Sequence, residues 1–95
     1  MKNIELSESL TIEFKSDQEK LADNEIIEAV VAFANTDGGV LYLGVENNGN
    51  ITGLHNEHRD PTRLAAFIAN KTVPPVTVRS EVIDHNLPIL KITVP

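Results

Sequence analysis

Arg59 and Arg63 are the residues of this sequence whose type and spacing best suit contacts with phosphate. They stand four positions apart at the start of a predicted helix, so both guanidinium groups can face the same way. Arginine donates hydrogen bonds to phosphate oxygens in a planar, bidentate geometry. The spacing predicts a contact with a nucleic-acid backbone, and a solvated helix face is the alternative.

Histidines and acids gather in the segment just before these arginines. His55 and His58 stand beside Glu57 and Asp60, which together resemble a loose metal cluster. Their spacing matches no established metal site, so we predict an exposed polar loop instead. The chain has no cysteine, which excludes thiolate ligands and disulfides. It also contains no phosphate-binding or dinucleotide-binding glycine motif, and nothing in it favours ATP or NAD.

Composition predicts one folded domain spanning residues 1–95. The chain is 41% hydrophobic and 23% charged, which is ordinary for a globular protein. No apolar run approaches the length of a signal peptide or a membrane span, so we expect a cytoplasmic protein without a membrane partner. The net charge of −6 opposes phosphate binding. Residues 1–46 carry −7 and residues 47–95 carry +1, which makes the C-terminal half the expected docking side.

Hydrophobic periodicity predicts the elements that position these side chains. Residues 10–15 alternate as a half-buried strand that places Glu13 and Lys15 on one face. Residues 22–35 show helical spacing, with Ile27, Val30, Val31 and Ala34 in one stripe that Ile26 and Phe33 widen. Asp23 or Asn24 can cap this helix. Residues 40–45 are apolar at nearly every position, as expected for a central strand.

The second half of the chain repeats this alternation of elements. The Asn-Gly pair at 48–49 predicts a hairpin turn, after which residues 51–54 pair back. Asp60 and Pro61 predict the start of a second helix. Residues 76–83 and 88–94 alternate as two further strands around a turn. The predicted fold is therefore α+β, in the order β-α-β-β-α-β-β, with two helices packed on a mixed sheet.

Four segments in order resemble the Schlafen AlbA_2 domain family. They are residues 8–15 (ESLTIEFK), 32–39 (AFANTDGG), 43–46 (LGVE) and 48–53 (NGNITG). The resemblance covers roughly residues 8 to 94. It implies a DNA-binding or transcriptional-regulator role, in proteins that often carry a helicase-related or winged-helix part. The family domain usually continues past the last strand, so we expect this chain to be an N-terminal fragment of a longer protein.

The resemblance also implies an alternative, enzymatic role. In the endoribonuclease branch of the family, three carboxylates form a metal-dependent site, and by motif they fall on Glu8, Glu13 and Glu46. Mg²⁺ or Mn²⁺ prefers such oxygen ligands and neutralises charge during phosphodiester cleavage. That branch generally has aspartate at the third place, so Glu46 would reach further. Lys15 could contact a phosphate, or form an ion pair instead.

Three hypotheses therefore remain open from the sequence. The leading one is a nucleic-acid-binding module, for DNA or RNA, with Lys15, Arg59 and Arg63 as contacts. The second is a metal-dependent endoribonuclease that uses the three glutamates. The third is an oligomerising piece, because strands at a sheet edge can pair between chains.

Overall fold

The computed structural model describes residues 11–95, which form an α+β fold as predicted. The elements in order are β1 (Ile12–Lys15), α1 (Asp23–Ala34), β2 (Gly39–Leu43), a 3-10 helix (Asn56–His58), α2 (Pro61–Lys71), β3 (Arg79–His85) and β4 (Leu87–Val94). The sheet is mixed, in the order β1-β2-β4-β3. β1 and β2 are parallel, whereas β2, β4 and β3 are antiparallel.

Both helices pack on one face of this sheet. The main core joins their apolar sides to β2 and β4, and its fully buried members include Ile26, Leu41, Ile68 and Ile92. The other face carries a smaller cluster around Phe14, Tyr42, Val45 and Ile89. β2 is thus buried on both faces, which explains why residues 40–45 are apolar at nearly every position.

The buried stripe of α1 overlaps the predicted one but is centred on Ile26 and Phe33, which were predicted only to widen it. Its buried residues are Ile26, Ala29, Val30 and Phe33, whereas Ala34 is exposed. Both stripes satisfy helical spacing, and the structure favours the one that buries the larger side chains Ile26 and Phe33. The predicted caps are also wrong, because the N-cap is Ala22, whose side chain makes no capping hydrogen bond.

α1 ends just before two glycines, Gly38 and Gly39, that lead the chain into β2. Gly38 has φ +84°, and its N–H donates to the Phe33 carbonyl at 2.9 Å. A left-handed residue of this kind satisfies a carbonyl that the end of a helix leaves without a partner. A side chain at Gly38 would also collide with the Val94 carbonyl oxygen. Gly38 therefore acts through backbone geometry, whereas Gly39 leaves room for the Phe33 ring, which a side chain at that position would meet.

The turns and the second helix follow the sequence closely. The Asp60 carboxylate accepts a hydrogen bond from the Arg63 N–H at 3.1 Å and caps α2. β3 and β4 form a hairpin around Asn86, which has φ +69°. The Asn-Gly turn forms as well, although its return strand shortens to one bridge between Val45 and Ile51. None of the helices within residues 11–95 is long and apolar enough to cross a membrane.

Candidate functional site

A cleft of about 300 Å³ lies between the loop that follows β1 and the segment that follows β2. Because β1 and β2 are parallel neighbours, both segments leave the sheet at the same edge. One side of the cleft comes from residues 20–23 and the other from the 3-10 helix and the first turns of α2. We call it the α2 cleft, and its lining comprises Lys20, Asp23, Asn56, Glu57, His58, Asp60, Arg63, Leu64 and Phe67.

Asp17 holds the two sides of the α2 cleft together. Its side chain is fully buried in the loop after β1. One carboxylate oxygen accepts from the Leu21 N–H at 2.8 Å, and the other accepts from the His55 N–H at 2.8 Å. His58 Nδ1 lies 2.9 Å from both oxygens. A single carboxylate thereby fixes the start of α1 against the segment that leads into α2.

His58 is buried rather than exposed, which corrects the polar-loop prediction for this residue. Only 4% of its surface is accessible, and its ring lines the cleft. Nε2 is itself buried and has no hydrogen-bond partner within residues 11–95. Native structures rarely leave a buried polar atom in this state.

The cations at the cleft differ in how available they are. Lys20 lies 3.7 Å from the Glu57 carboxylate, in an exposed ion pair. Arg63 occupies the first turn of α2, is exposed, and makes no ion pair with a residue in the described range. Arg59 is equally exposed and unpaired there, but it lies before α2, where helical spacing does not apply. The two arginines therefore flank the N-terminus of α2 instead of sharing a helix face.

Glu13 and Lys15 share one strand face, as predicted, and that face is the one covered by α1. Lys15 Nζ lies 3.3 Å from the Glu13 carboxylate and 4.0 Å from the Glu25 carboxylate. All three side chains are between about a third and a half exposed, so these ion pairs are solvent-screened. Lys15 thus has anionic partners already, and its contact with phosphate stays a prediction.

Glu46 is held by the Asn-Gly turn. Its carboxylate accepts a hydrogen bond from the Thr52 hydroxyl at 2.5 Å, and its N–H donates to the Asn50 carbonyl at 2.8 Å. Glu8, the third predicted ligand, lies outside the described residues. Within residues 11–95, no three histidine, aspartate or glutamate side chains come together as a metal site. The three-carboxylate site therefore stays a prediction.

Tyr42 is buried on the face of the sheet turned away from the helices. It packs against Phe14 in a tilted arrangement with the ring centroids 5.9 Å apart. Burial raises the pKa of the Tyr42 phenol above its ordinary value, and the charge of the Glu81 carboxylate raises it further. Phe67, by contrast, is only half-buried and lines the α2 cleft, so it is the aromatic side chain that a ligand there would meet.

Sequence reasoning missed Asp17 and the cleft, and it placed His58 in an exposed loop. The contact between Asp17 and His58 joins residues 41 positions apart, and no local pattern predicts such a pair. Lys20 and Asn56 were missed for the same reason, because they become neighbours only when β1 and β2 align. A comparison with known families supplies an independent finding: the family model described as "Schlafen, AlbA_2" matches residues 8–95.

Proposed function

Because the chain belongs to the Schlafen AlbA_2 family, we propose that it is a nucleic-acid-binding module that contacts DNA through the edge of the α2 cleft. Membership gives the chain a nucleic-acid-related role. We further propose that the nucleic acid is DNA and that the domain is part of a longer transcriptional regulator or helicase-related protein. Arg59 and Arg63 are the proposed phosphate contacts, and Lys15 is a further one.

The observation that carries this proposal is the placement of Arg59 and Arg63 on either side of the N-terminus of α2. Both are exposed, and neither is neutralised by an acid within the described residues. The positive end of the α2 dipole lies beside them, and the Asp60 carboxylate already caps it by accepting from the Arg63 N–H. The carboxylates of Asp23, Glu57 and Asp60 also line the cleft, so the two arginines have to outweigh this local repulsion of a phosphate.

The overall charge of −6 predicts that binding by the domain alone is weak and best measured at low salt. Fluorescence anisotropy of a labelled oligonucleotide, titrated with protein at several salt concentrations, measures both affinity and its salt dependence. Removal of one arginine that binds a phosphate should reduce the slope of log K against log salt by about 1. We therefore expect Arg63→Ala and Arg59→Ala each to weaken binding and to flatten that slope by about 1.

Arg79→Ala is the matched control. Arg79 is an exposed arginine of β3, opposite Thr93, on the sheet face turned away from the helices. Its removal changes the net charge by the same amount but leaves the α2 cleft intact. Equal weakening by all three substitutions would mean that only net charge matters and would contradict the proposed interface. The same titration with Mg²⁺ or Mn²⁺ present tests the endoribonuclease alternative, which requires cleavage that Glu13→Gln abolishes.

A further inference from the structure

We infer that the α2 cleft receives a single unpaired nucleotide whose base carries an exocyclic amino group. This inference rests on the proposed function and adds which part of the nucleic acid enters the protein. The base would lie against Phe67, with its edge towards Asp23 and Asn56. The phosphate would lie between Lys20 and Arg63.

The size of the cleft suits one nucleotide and excludes a duplex. A volume of about 300 Å³ lies at the lower end of the range for sites that enclose small molecules. A base that is paired and stacked presents only its groove edge and cannot enter such a space. Proteins that read single nucleotides instead take up unstacked bases and place them on aromatic side chains.

The walls of the cleft supply the apolar surface that a base needs. Phe67 and Leu64 stand one turn apart on α2 and both line the cleft. Leu64 is buried in the core, whereas Phe67 is only half-buried and keeps part of its ring accessible. Stacking on a phenylalanine favours any base, so Phe67 would contribute affinity without selecting a sequence.

Selection would come from two polar side chains at the mouth of the cleft. Asp23 and Asn56 are exposed, and neither side chain hydrogen-bonds or ion-pairs with another residue in the 11–95 range. Carboxylates accept hydrogen bonds from the exocyclic amino group of cytosine, and amides pair with base edges in both directions. Uracil offers a carbonyl oxygen at that position, which a carboxylate repels. A cleft with a free aspartate therefore favours cytosine over uracil.

His58 forms part of the floor of the cleft. Its Nδ1 is committed to Asp17, and Nε2 is buried without a partner among residues 11–95. The contact between His58 and Asp17 fixes the surface on which a ligand would lie.

Glu57 is the residue expected to oppose the phosphate. Its carboxylate pairs with Lys20 at 3.7 Å, so a phosphate must replace it. Glu57→Gln removes that competitor and one negative charge but keeps the shape of the side chain. Because exposed pairs of this kind are weak, we expect this substitution to raise the affinity for a nucleotide by about twofold to fivefold.

The test compares homo-oligomers of cytidine and uridine, in deoxyribose and ribose forms, with a duplex that contains the same cytosines. Amide and side-chain NMR shifts locate the ligand, and titration gives its dissociation constant. We expect the single strands to bind more tightly than the duplex, with shifts at Asn56 and Phe67. Cytosine should be preferred over uracil by about fivefold or more, the lower bound for one base-edge contact.

Asp23→Asn should remove the preference for cytosine, whereas the matched control Asp37→Asn should keep it. Asp37 is an exposed aspartate at the opposite end of α1. Equal binding of duplex and single strand, or a preference that survives Asp23→Asn, overturns the inference. If Arg59→Ala and Arg63→Ala weaken binding while Asp23→Asn and Asn56→Ala change nothing, the proposed function stands and the nucleotide site falls. If none of the four has an effect, both fall.

Discussion

Replacement of Asp17 by asparagine should destabilise the domain far more than any other loss of one carboxylate charge among residues 11–95. Asp17 is fully buried, and each of its oxygens accepts from one backbone N–H and from His58 Nδ1. Asparagine has the same shape but only one accepting oxygen. Its amide NH₂ group must then point at the backbone N–H of either Leu21 or His55. Two hydrogen-bond donors would face each other there, with no acceptor between them.

The size of the expected destabilisation follows from these hydrogen bonds. A hydrogen bond to a charged group contributes about 1.5–3 kcal/mol, and a buried donor left without a partner costs about 1–3 kcal/mol. We therefore expect Asp17→Asn to lower the free energy of unfolding by about 3 kcal/mol. For a domain of this size, that corresponds to a fall in Tm of about 12–24 °C.

Urea denaturation followed by far-UV circular dichroism measures this destabilisation, since the chain has no tryptophan to report by fluorescence. Asp23→Asn is the matched control, because Asp23 is exposed and surface changes of this kind usually stay within about 0.5 kcal/mol. The slope of free energy against urea should be unchanged in both variants. A decrease below about 1 kcal/mol for Asp17→Asn would refute the view that this carboxylate joins the loops.

Two further substitutions test the pKa of Tyr42 and the cap of α2. The pKa of the Tyr42 phenol is raised by burial and by Glu81, so above its ordinary value of 10.0 the unfolded chain loses this proton first. The free energy of unfolding should therefore fall as the pH rises past that value. Denaturation curves measured from pH 8 to 11 should show a smaller fall for Tyr42→Phe than for the unsubstituted protein. An equal fall in both proteins would contradict the raised pKa of Tyr42. Asp60→Ala removes the cap of α2 and should cost about 1 kcal/mol of unfolding free energy, whereas Asp60→Ser should retain most of it. Equal destabilisation by Asp60→Ala and Asp60→Ser would show that the capping hydrogen bond to the Arg63 N–H does not account for the loss of stability.

Local patterns predict most of this fold because its elements carry their own signals. The cap at Asp60, the Asn-Gly turn at 48–49 and the alternation in β3 and β4 act over a few residues, and each forms as expected. The α1 stripe shows where such signals become ambiguous: two overlapping sets of apolar residues satisfy the same spacing. Only packing on β2 and β4 selects the set that contains Ile26 and Phe33.

The site is less predictable because its residues meet only in the folded state. Arg63 is where the sequence places it, but Arg59 lies outside the helix on which its spacing argument depends. His58 looks like a loop residue until Asp17, 41 positions earlier, is brought to its ring. Glu13 and Glu46 remain predictions as metal ligands, since their third partner by motif, Glu8, lies outside the described residues.

The parallel pairing of β1 with β2 also bears on how the domain folds. β3 and β4 turn back at Asn86 and can pair locally, whereas β1 reaches β2 only after the crossover through α1. Contacts between residues distant in sequence form more slowly than local ones. Asp17 follows β1 directly, and its partners His55 and His58 are 38 and 41 positions away. The α2 cleft is therefore expected to be the last region to assemble. A partly unfolded chain in which β1 has detached from β2 would keep the β3–β4 hairpin but lose the α2 cleft.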